Sequence, residues 1–160
     1  AMRIAYFKVH KPLAFYAAFL SRKADDFDME VMSKGVLAKQ KLEELSKEPK
    51  LDPKKKNEQA ICEIVVELEA RGIELLPVDI YLSEGRKFKI EDGKIRIPLI
   101  GISGLGGAVI ENILKEREEA KFISVEDLKR RTKMSQTVAD KLKSIGAISS
   151  LSETNQISLF

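Results

Sequence analysis

Gly101-Ile102-Ser103-Gly104-Leu105-Gly106-Gly107-Ala108 decides how the second half of this chain folds. The segment after it has a helical pattern: Val109, Ile110, Ile113 and Leu114 are apolar, and Lys115 to Glu119 are charged. Gly104 and Gly106 let the backbone turn and come close to a ligand. The first N–H groups of the following helix lack internal acceptors and point outward, and the helix dipole adds positive potential there. Such a turn can hold a phosphate oxygen. Two other phosphate loops are excluded. A dinucleotide fingerprint needs a third glycine where Val109 stands, inside a strand–helix–strand unit that does not follow. A Walker loop needs Gly-Lys-Ser/Thr, which is absent.

What remains is a helix-hairpin-helix: a short helix, a hydrophobic-Gly-hydrophobic-Gly turn, and a second helix. Ile102, Leu105 and Val109 fit its apolar positions. A second unit follows. Phe122 to Leu128 reads as a turn, then Ser124 as helix N-cap, with Asp127 completing an approximate capping box. Thr132-Lys133-Met134-Ser135 is the second turn, and Gln136 to Ser144 a helix with Val138, Ala139, Leu142 and Ile145 inside. Gly146-Ala147-Ile148 closes it. Two hairpins in tandem predict a compact four-helix unit with a pseudo-two-fold axis, each hairpin facing one strand across a minor groove. Donors of this kind meet phosphates and not base edges. The candidate DNA-binding residues are Ser103, Gly104, Leu105, Gly106, Gly107 and Ala108 in the first turn, Lys115 beyond it, and Lys133 and Ser135 in the second.

The rest of the chain is consistent with a polyanion partner. Of 160 residues, 44% are hydrophobic and 33% charged, against a usual ~25% charged. Tyr81 to Ser150 hold 14 Lys+Arg and 10 Asp+Glu, while the remainder holds 14 and 15. The basic excess therefore lies in the hairpin half. A single cysteine, Cys62, excludes a disulfide framework within the chain, and with the single histidine, His10, it does not make a Cys/His zinc site. No apolar run approaches the ~20 residues of a membrane span, and no export signal is present, so the expectation is a cytoplasmic protein without a membrane partner.

Met2, Ile4, Ala5, Val9 and Leu13 recur at helical spacing with no capping residue before them. The chain is thus expected to start inside a helix, as a piece of a longer protein. Pro12 should end or bend that helix, and Leu13 to Leu20 resume it, with Tyr6, Phe7, Phe15, Tyr16 and Phe19 as core. Asp25, Asp26 and Asp28 invite a metal reading, but Asp25 or Asp26 as a helix N-cap is simpler. Gly35 breaks the next helix, and Leu37, Leu42 and Leu45 mark another. Asp52 reads as an N-cap with Pro53 at the first helical position, Ala60, Ile61, Ile64, Val65 and Leu68 as the apolar stripe, and Gly72 as the C′ residue. Beyond Pro77 the period becomes two. Phe88, Ile90, Ile95 and Ile97 alternate with Lys87, Lys89, Lys94 and Arg96 about Glu91-Asp92-Gly93. This predicts a β-hairpin with one apolar and one basic face, covered by the Ile61 to Leu68 helix, with Val78 to Tyr81 as a third strand.

The tail ends in Gln156-Ile157-Ser158-Leu159-Phe160, which matches the pentapeptide by which bacterial replication proteins bind the sliding clamp. Gln156 would hydrogen-bond at the pocket rim, and Leu159 and Phe160 would fill the pocket. Together with Arg3 to Pro12, Ala24 to Asp28, Arg71 to Ile80 and the first hairpin, the tail resembles the C-terminal part of bacterial DNA polymerase III alpha subunits of the PolC type. The resemblance implies a mainly α fold with a small β-hairpin or sheet. It divides the chain into the helical end of the fingers (1–75), a small strand region (76–98), a tandem helix-hairpin-helix DNA-binding unit (99–150) and a clamp-binding tail (151–160). It implies a parent DNA-directed DNA polymerase whose catalytic carboxylates and divalent metal (Mg) lie in a palm upstream. No catalytic or metal-binding residue and no cofactor is therefore assigned to this segment. The implied partners are double-stranded DNA, the sliding clamp and the upstream polymerase domains.

Two positions depart from the family pattern. Lys133 stands where the second turn usually has Gly, and Gly107-Ala108 supplies no basic side chain at the first. Contact there would rest on backbone N–H groups, with Lys115 or Arg117 nearby. Two other readings stay open. One is a stand-alone helix-hairpin-helix DNA-binding or repair adaptor. The other is a structural protein-interaction module, which Glu111, Glu116, Glu118 and Glu119 keep in play.

Overall fold

Pro12 takes the first helical position of α1 (Pro12–Arg22), where its missing N–H costs nothing and its fixed φ suits the helix. The computed structural model describes residues 8–154. Helical residues reach His10, so Pro12 interrupts a helical path as expected. α1 buries Tyr16, Ala17 and Leu20. A 3-10 turn (Ala24–Asp26) and the short α2 (Met29–Met32) follow. The cap of α2 is Asp28, not Asp25 or Asp26: its Oδ1 accepts the Glu30 N–H at 2.9 Å. α3 (Gly35–Ser46) begins at Gly35, whose N–H donates to the Glu69 carboxylate. A Cβ on Gly35 would stand 2.9 Å from that carboxylate, so glycine here admits a neighbour.

α4 (Pro53–Ala70) has the ends its sequence asks for. Asp52 Oδ1 accepts the Lys55 N–H at 2.8 Å, with Pro53 next to it. At the other end Gly72 is left-handed (φ +78), Gly72 N–H donates to Glu69 O at 2.9 Å, and Ile73 N–H to Leu68 O at 3.0 Å. That pair of bonds is a Schellman cap. α3 packs along α4.

The sheet holds β1 (Leu75–Leu76), β2 (Lys89–Glu91) and β3 (Lys94–Arg96) in the order β1-β3-β2. β2 and β3 are antiparallel with Ile90 opposite Ile95, and β1 is parallel to β3. Asp92 (φ +47) and Gly93 (φ +77) are both left-handed, as the two-residue turn between right-twisted strands requires. Three expectations are corrected. The third strand is Leu75–Leu76, because Asp79 Oδ1 captures the N–H groups of Tyr81 (2.8 Å) and Leu82 (3.0 Å) and turns Val78 to Tyr81 away from a ladder. The helix packed on the hairpin is α1, with Ser21 Oγ accepting the Phe88 N–H at 2.9 Å. Ile90 is 44% exposed although Phe88, Ile95 and Ile97 are buried, because α1 faces it with the short side chains of Ala14, Ala17 and Ala18.

The hairpin unit consists of a 3-10 turn (Leu99–Gly101), α5 (Gly107–Glu119), α6 (Val125–Thr132) and α7 (Gln136–Ser144). The leading helix is a single 3-10 turn, so the expected four-helix unit has three α-helices. Buried side chains from Tyr16 to Ile148 form one continuous core. Among the described residues, no helix is long and apolar enough to cross a membrane.

Gly101 seats the hairpin unit on the N-terminal helices. A Cβ there would lie 2.7 Å from Ile97 Cγ2 and 3.3 Å from Phe27 Cδ1. Gly101→Ala is expected to destabilise the fold by about 1–3 kcal/mol, read as a lower midpoint of urea unfolding. An unchanged midpoint would contradict this close packing.

Candidate nucleic-acid interface

The first turn is built so that its backbone faces open space. Gly104 is left-handed (φ +90). Leu105 is buried, and its N–H donates to Ile102 O at 3.2 Å, so this residue anchors the turn and its amide is occupied. Gly106 is the N-cap of α5 (φ −71, ψ 155) and supplies no side-chain acceptor. Ser103, Gly104, Gly106, Gly107 and Ala108 are exposed. A Cβ on Gly104 or Gly106 would meet nothing within 4 Å. The contrast with four of the other helices is chemical, while α1 and α3, like α5, start without a side-chain cap from the N-cap residue. Asp28, Asp52, Ser124 and Ser135 side chains cap α2, α4, α6 and α7. The first N–H groups of α5 are left to solvent or to a ligand.

The second turn repeats the same backbone with different side chains. Lys133 is left-handed (φ +59), Met134 is buried, and Ser135 is the N-cap of α7 (φ −75, ψ 163). Left-handed residue, buried apolar residue and extended N-cap thus occur in the same order in both turns. Here Ser135 Oγ accepts the Val138 N–H at 3.3 Å, and Lys133, Ser135, Gln136 and Thr137 are exposed. A lysine at positive φ carries the Cβ–carbonyl clash that glycine avoids.

One guanidinium fixes the two hairpins together. Arg131 Nε donates to Glu116 Oε2 at 3.0 Å. Its Nη2 donates to the carbonyls of Glu116 (2.6 Å) and Ala120 (3.0 Å). Its Nη1 reaches Lys121 O (3.2 Å) and Asp127 Oδ2 (3.3 Å). The group also stands 4.6 Å from the Phe122 ring centroid. The Asp127 side chain is 2% exposed. Burial pushes its carboxyl up, but hydrogen bonds from Arg130, the Ile123 N–H and Arg131, with the charge of Arg131, outweigh this and hold it below the ordinary aspartate value. Its N–H donates to Ser124 Oγ at 3.1 Å. The capping pair is therefore present, with the carboxylate reaching back to Ile123 at 3.1 Å.

Neither basic side chain expected near the first turn is there. Eight residues of helix separate Lys115 from Gly107, about 12 Å along the axis. Arg117 Nη1 donates to the carbonyls of Ser83 (2.6 Å) and Ile80 (3.2 Å), tying α5 to the loop between β1 and β2. The fold brings two other cations to the turn. Arg86 Nη2 lies 3.9 Å from the Cβ position of Gly107, and Lys141 Nζ donates to Ser103 O at 3.0 Å. Both are remote in sequence from the turn, and no local pattern signals them. Glu116, Glu118 and Glu119 sit at the opposite end of α5, away from the turn.

The aspartates near α2 diverge. Asp25 pairs with Arg86 at 2.6 Å, Asp26 accepts from Asn57 Nδ2 at 2.9 Å, and Asp28 caps α2. Among the described residues, no group of three or more His, Cys, Asp or Glu side chains is arranged to hold a metal ion. The start of the tail is fixed on α6: Val125 N–H donates to Ser152 O at 2.8 Å and Glu126 N–H to Glu153 O at 3.3 Å. Lys143 pairs with Glu153. The clamp-binding residues Gln156, Ile157, Ser158, Leu159 and Phe160 lie outside the described residues.

Residues 72–157 match the family model described as "Helix-hairpin-helix motif". The chain belongs to the helix-hairpin-helix family. Its whole length also matches part of proteins named "DNA polymerase III PolC-type". It is 47% identical to that of Thermotoga petrophila over 161 residues, 43% to that of Clostridium perfringens over 162, and 42% to that of Bacillus subtilis over 162. The match falls in their C-terminal region, and this chain spans 12%, 11% and 11% of those relatives, respectively. The resemblance to PolC-type proteins read from separate sequence segments is thereby borne out. So is the mainly helical fold with a small sheet.

Lys133 is the one residue of the helix-hairpin-helix turns that works against its own backbone. Lys133→Gly is expected to raise the unfolding free energy by about 1 kcal/mol, read as a higher urea midpoint. An equal or lower midpoint would show that the left-handed lysine is not strained.

Proposed function

We propose that this chain is a non-catalytic C-terminal part of a replicative DNA polymerase that grips duplex DNA by its backbone and the sliding clamp by its tail. The observation that carries the first half is the repeated turn geometry, with the uncapped start of α5 exposed in front of Gly104 and Gly106. In this reading the amides of Gly106, Gly107 and Ala108 donate to phosphate oxygens of one strand. Lys133 and the Ser135 turn meet the other strand across the minor groove. Ser103 and Gly104 shape the first contact, and Leu105 holds it from inside. Such contacts carry no base information, so binding is independent of sequence and weakens steeply with salt.

The second half rests on Gln156 to Phe160 as a peptide ligand for the clamp. A tethered peptide acts through effective concentration, so a weak contact can still raise processivity. Nucleotidyl transfer and its divalent metal would belong to a palm domain outside this chain, working in the cytoplasm. The PolC-type names of the relatives support this reading over a stand-alone repair adaptor.

Gly106 has φ −71 and open space around it, so Gly106→Val is accommodated in the free protein. It is expected to lower affinity for a short duplex at least about tenfold by blocking the backbone's approach to phosphate. Unchanged affinity in the folded variant would contradict the hairpin assignment. Phe160→Ala is expected to abolish binding to a bacterial sliding clamp in a surface-immobilised assay and to leave duplex binding intact. Retained clamp binding would sink the tail assignment.

A further inference from the structure

The first turn carries no charge of its own: Gly104 to Ala108 are all uncharged. The fold supplies a cation from outside the hairpin. Arg86 lies in the loop before β2, and the two arms of its guanidinium have different neighbours. Nη1 donates to Asp25 Oδ1 at 2.6 Å, while Nη2 stands 3.9 Å from the Cβ position of Gly107, the first residue of α5. Gly107 has no side chain to separate that arm from the helix start. Both members of the ion pair are on the surface, with Arg86 61% and Asp25 76% exposed. An exposed pair of this kind contributes little and is readily exchanged. The planar fork suits a phosphate as well as a carboxylate. Lys141 plays another part, since its Nζ is bonded to the Ser103 carbonyl and lies 3.4 Å from Glu30 Oε1, bracing the turn.

We infer that Arg86 is the side-chain cation of the first hairpin's phosphate contact, and that Asp25 holds its place until DNA arrives. On duplex binding, Arg86 exchanges the Asp25 carboxylate for the backbone phosphate that the Gly107 and Ala108 amides also meet. This rests on the reading of the turn as a phosphate grip and adds a residue and its competitor to it. A plain structural tie between the N-terminal segment and the hairpin loop would use the same ion pair, but the two roles differ in sign. Breaking a tie from either side has the same effect. Removing the competitor and removing the cation have opposite effects.

The test is fluorescence anisotropy of the full chain with a short labelled duplex at several salt concentrations. Circular dichroism confirms that each variant is folded. Arg86→Gln is expected to weaken binding about three- to tenfold and to reduce the salt slope by about one. Arg86→Lys should restore most of the slope. Asp25→Asn is expected to tighten binding about two- to threefold by removing a nearby negative charge. Lys50→Gln, on the α3–α4 loop, controls for net charge. Arg86→Gln behaving like Lys50→Gln would overturn the inference, and so would Asp25→Asn weakening binding as Arg86→Gln does. If Gly106→Val abolishes binding while Arg86→Gln matches the control, only the Arg86 inference falls. If the unaltered chain binds no duplex, the reading of the turn fails and this inference fails with it.

Discussion

Arg131 closes the last turn of α5 onto α6 by donating to the Glu116 carbonyl, which also accepts the Ala120 N–H, and to the Ala120 carbonyl at the helix end. It also pairs with Glu116 and Asp127 and lies over Phe122, so one side chain joins two helices, their connection and the aromatic plug beneath it. In the proposed reading the two hairpin turns act on one duplex only if their separation is fixed, and this cluster joins the helices that carry them. Asn112 adds a second tie from α5, donating to Thr132 O at 3.0 Å beside the second turn. A partly buried charge cluster of this kind, with Asp127 buried at its centre, is strong when complete and costly when one member is missing.

The hairpin unit is in turn seated on the rest of the chain through backbone contacts that admit little slack. Leu99 and Ile100 N–H groups donate to the carbonyls of Glu84 (2.9 Å) and Gly85 (3.0 Å), and Ile80 N–H donates to Ala147 O at 3.2 Å. Phe27 packs edge-on against Phe88 at 5.0 Å and against the face of Gly101. The segment between β1 and β2 therefore acts as the joint between the N-terminal helices and the hairpins. This is also how the loop carrying Arg86 comes to stand beside α5, which is a consequence of the packing of several elements.

Local requirements were legible in the sequence. Asp52-Pro53 and Arg71-Gly72 delimit α4, Asp92-Gly93 makes the hairpin turn, and Gly104 with Gly106 shapes the first helix-hairpin-helix turn. In each case the residue type answers a torsional or hydrogen-bonding need of its own neighbourhood. Tertiary choices were not legible. Val78 to Tyr81 has the alternation of a strand, yet Asp79 folds its backbone into a turn. α4 has an apolar stripe and lies next to the sheet in sequence, yet that stripe packs along α3 and it is α1 that covers the hairpin. The three aspartates near α2 look alike in sequence and have three different partners. Lys133 was signalled only by standing where the family pattern has Gly; its left-handed backbone is set by the repeated hairpin geometry and not by its own preference.

The central claim is that two turns with one backbone geometry present their amides to phosphates. The most direct measurement is the shift of backbone amide resonances in the isotope-labelled chain as a short duplex is added. The account predicts the largest shifts at Gly106, Gly107 and Ala108 and at Ser135, Gln136 and Thr137, the same for unrelated duplex sequences and fading together as salt rises. Shifts confined to other surfaces, or dependent on base sequence, would contradict it.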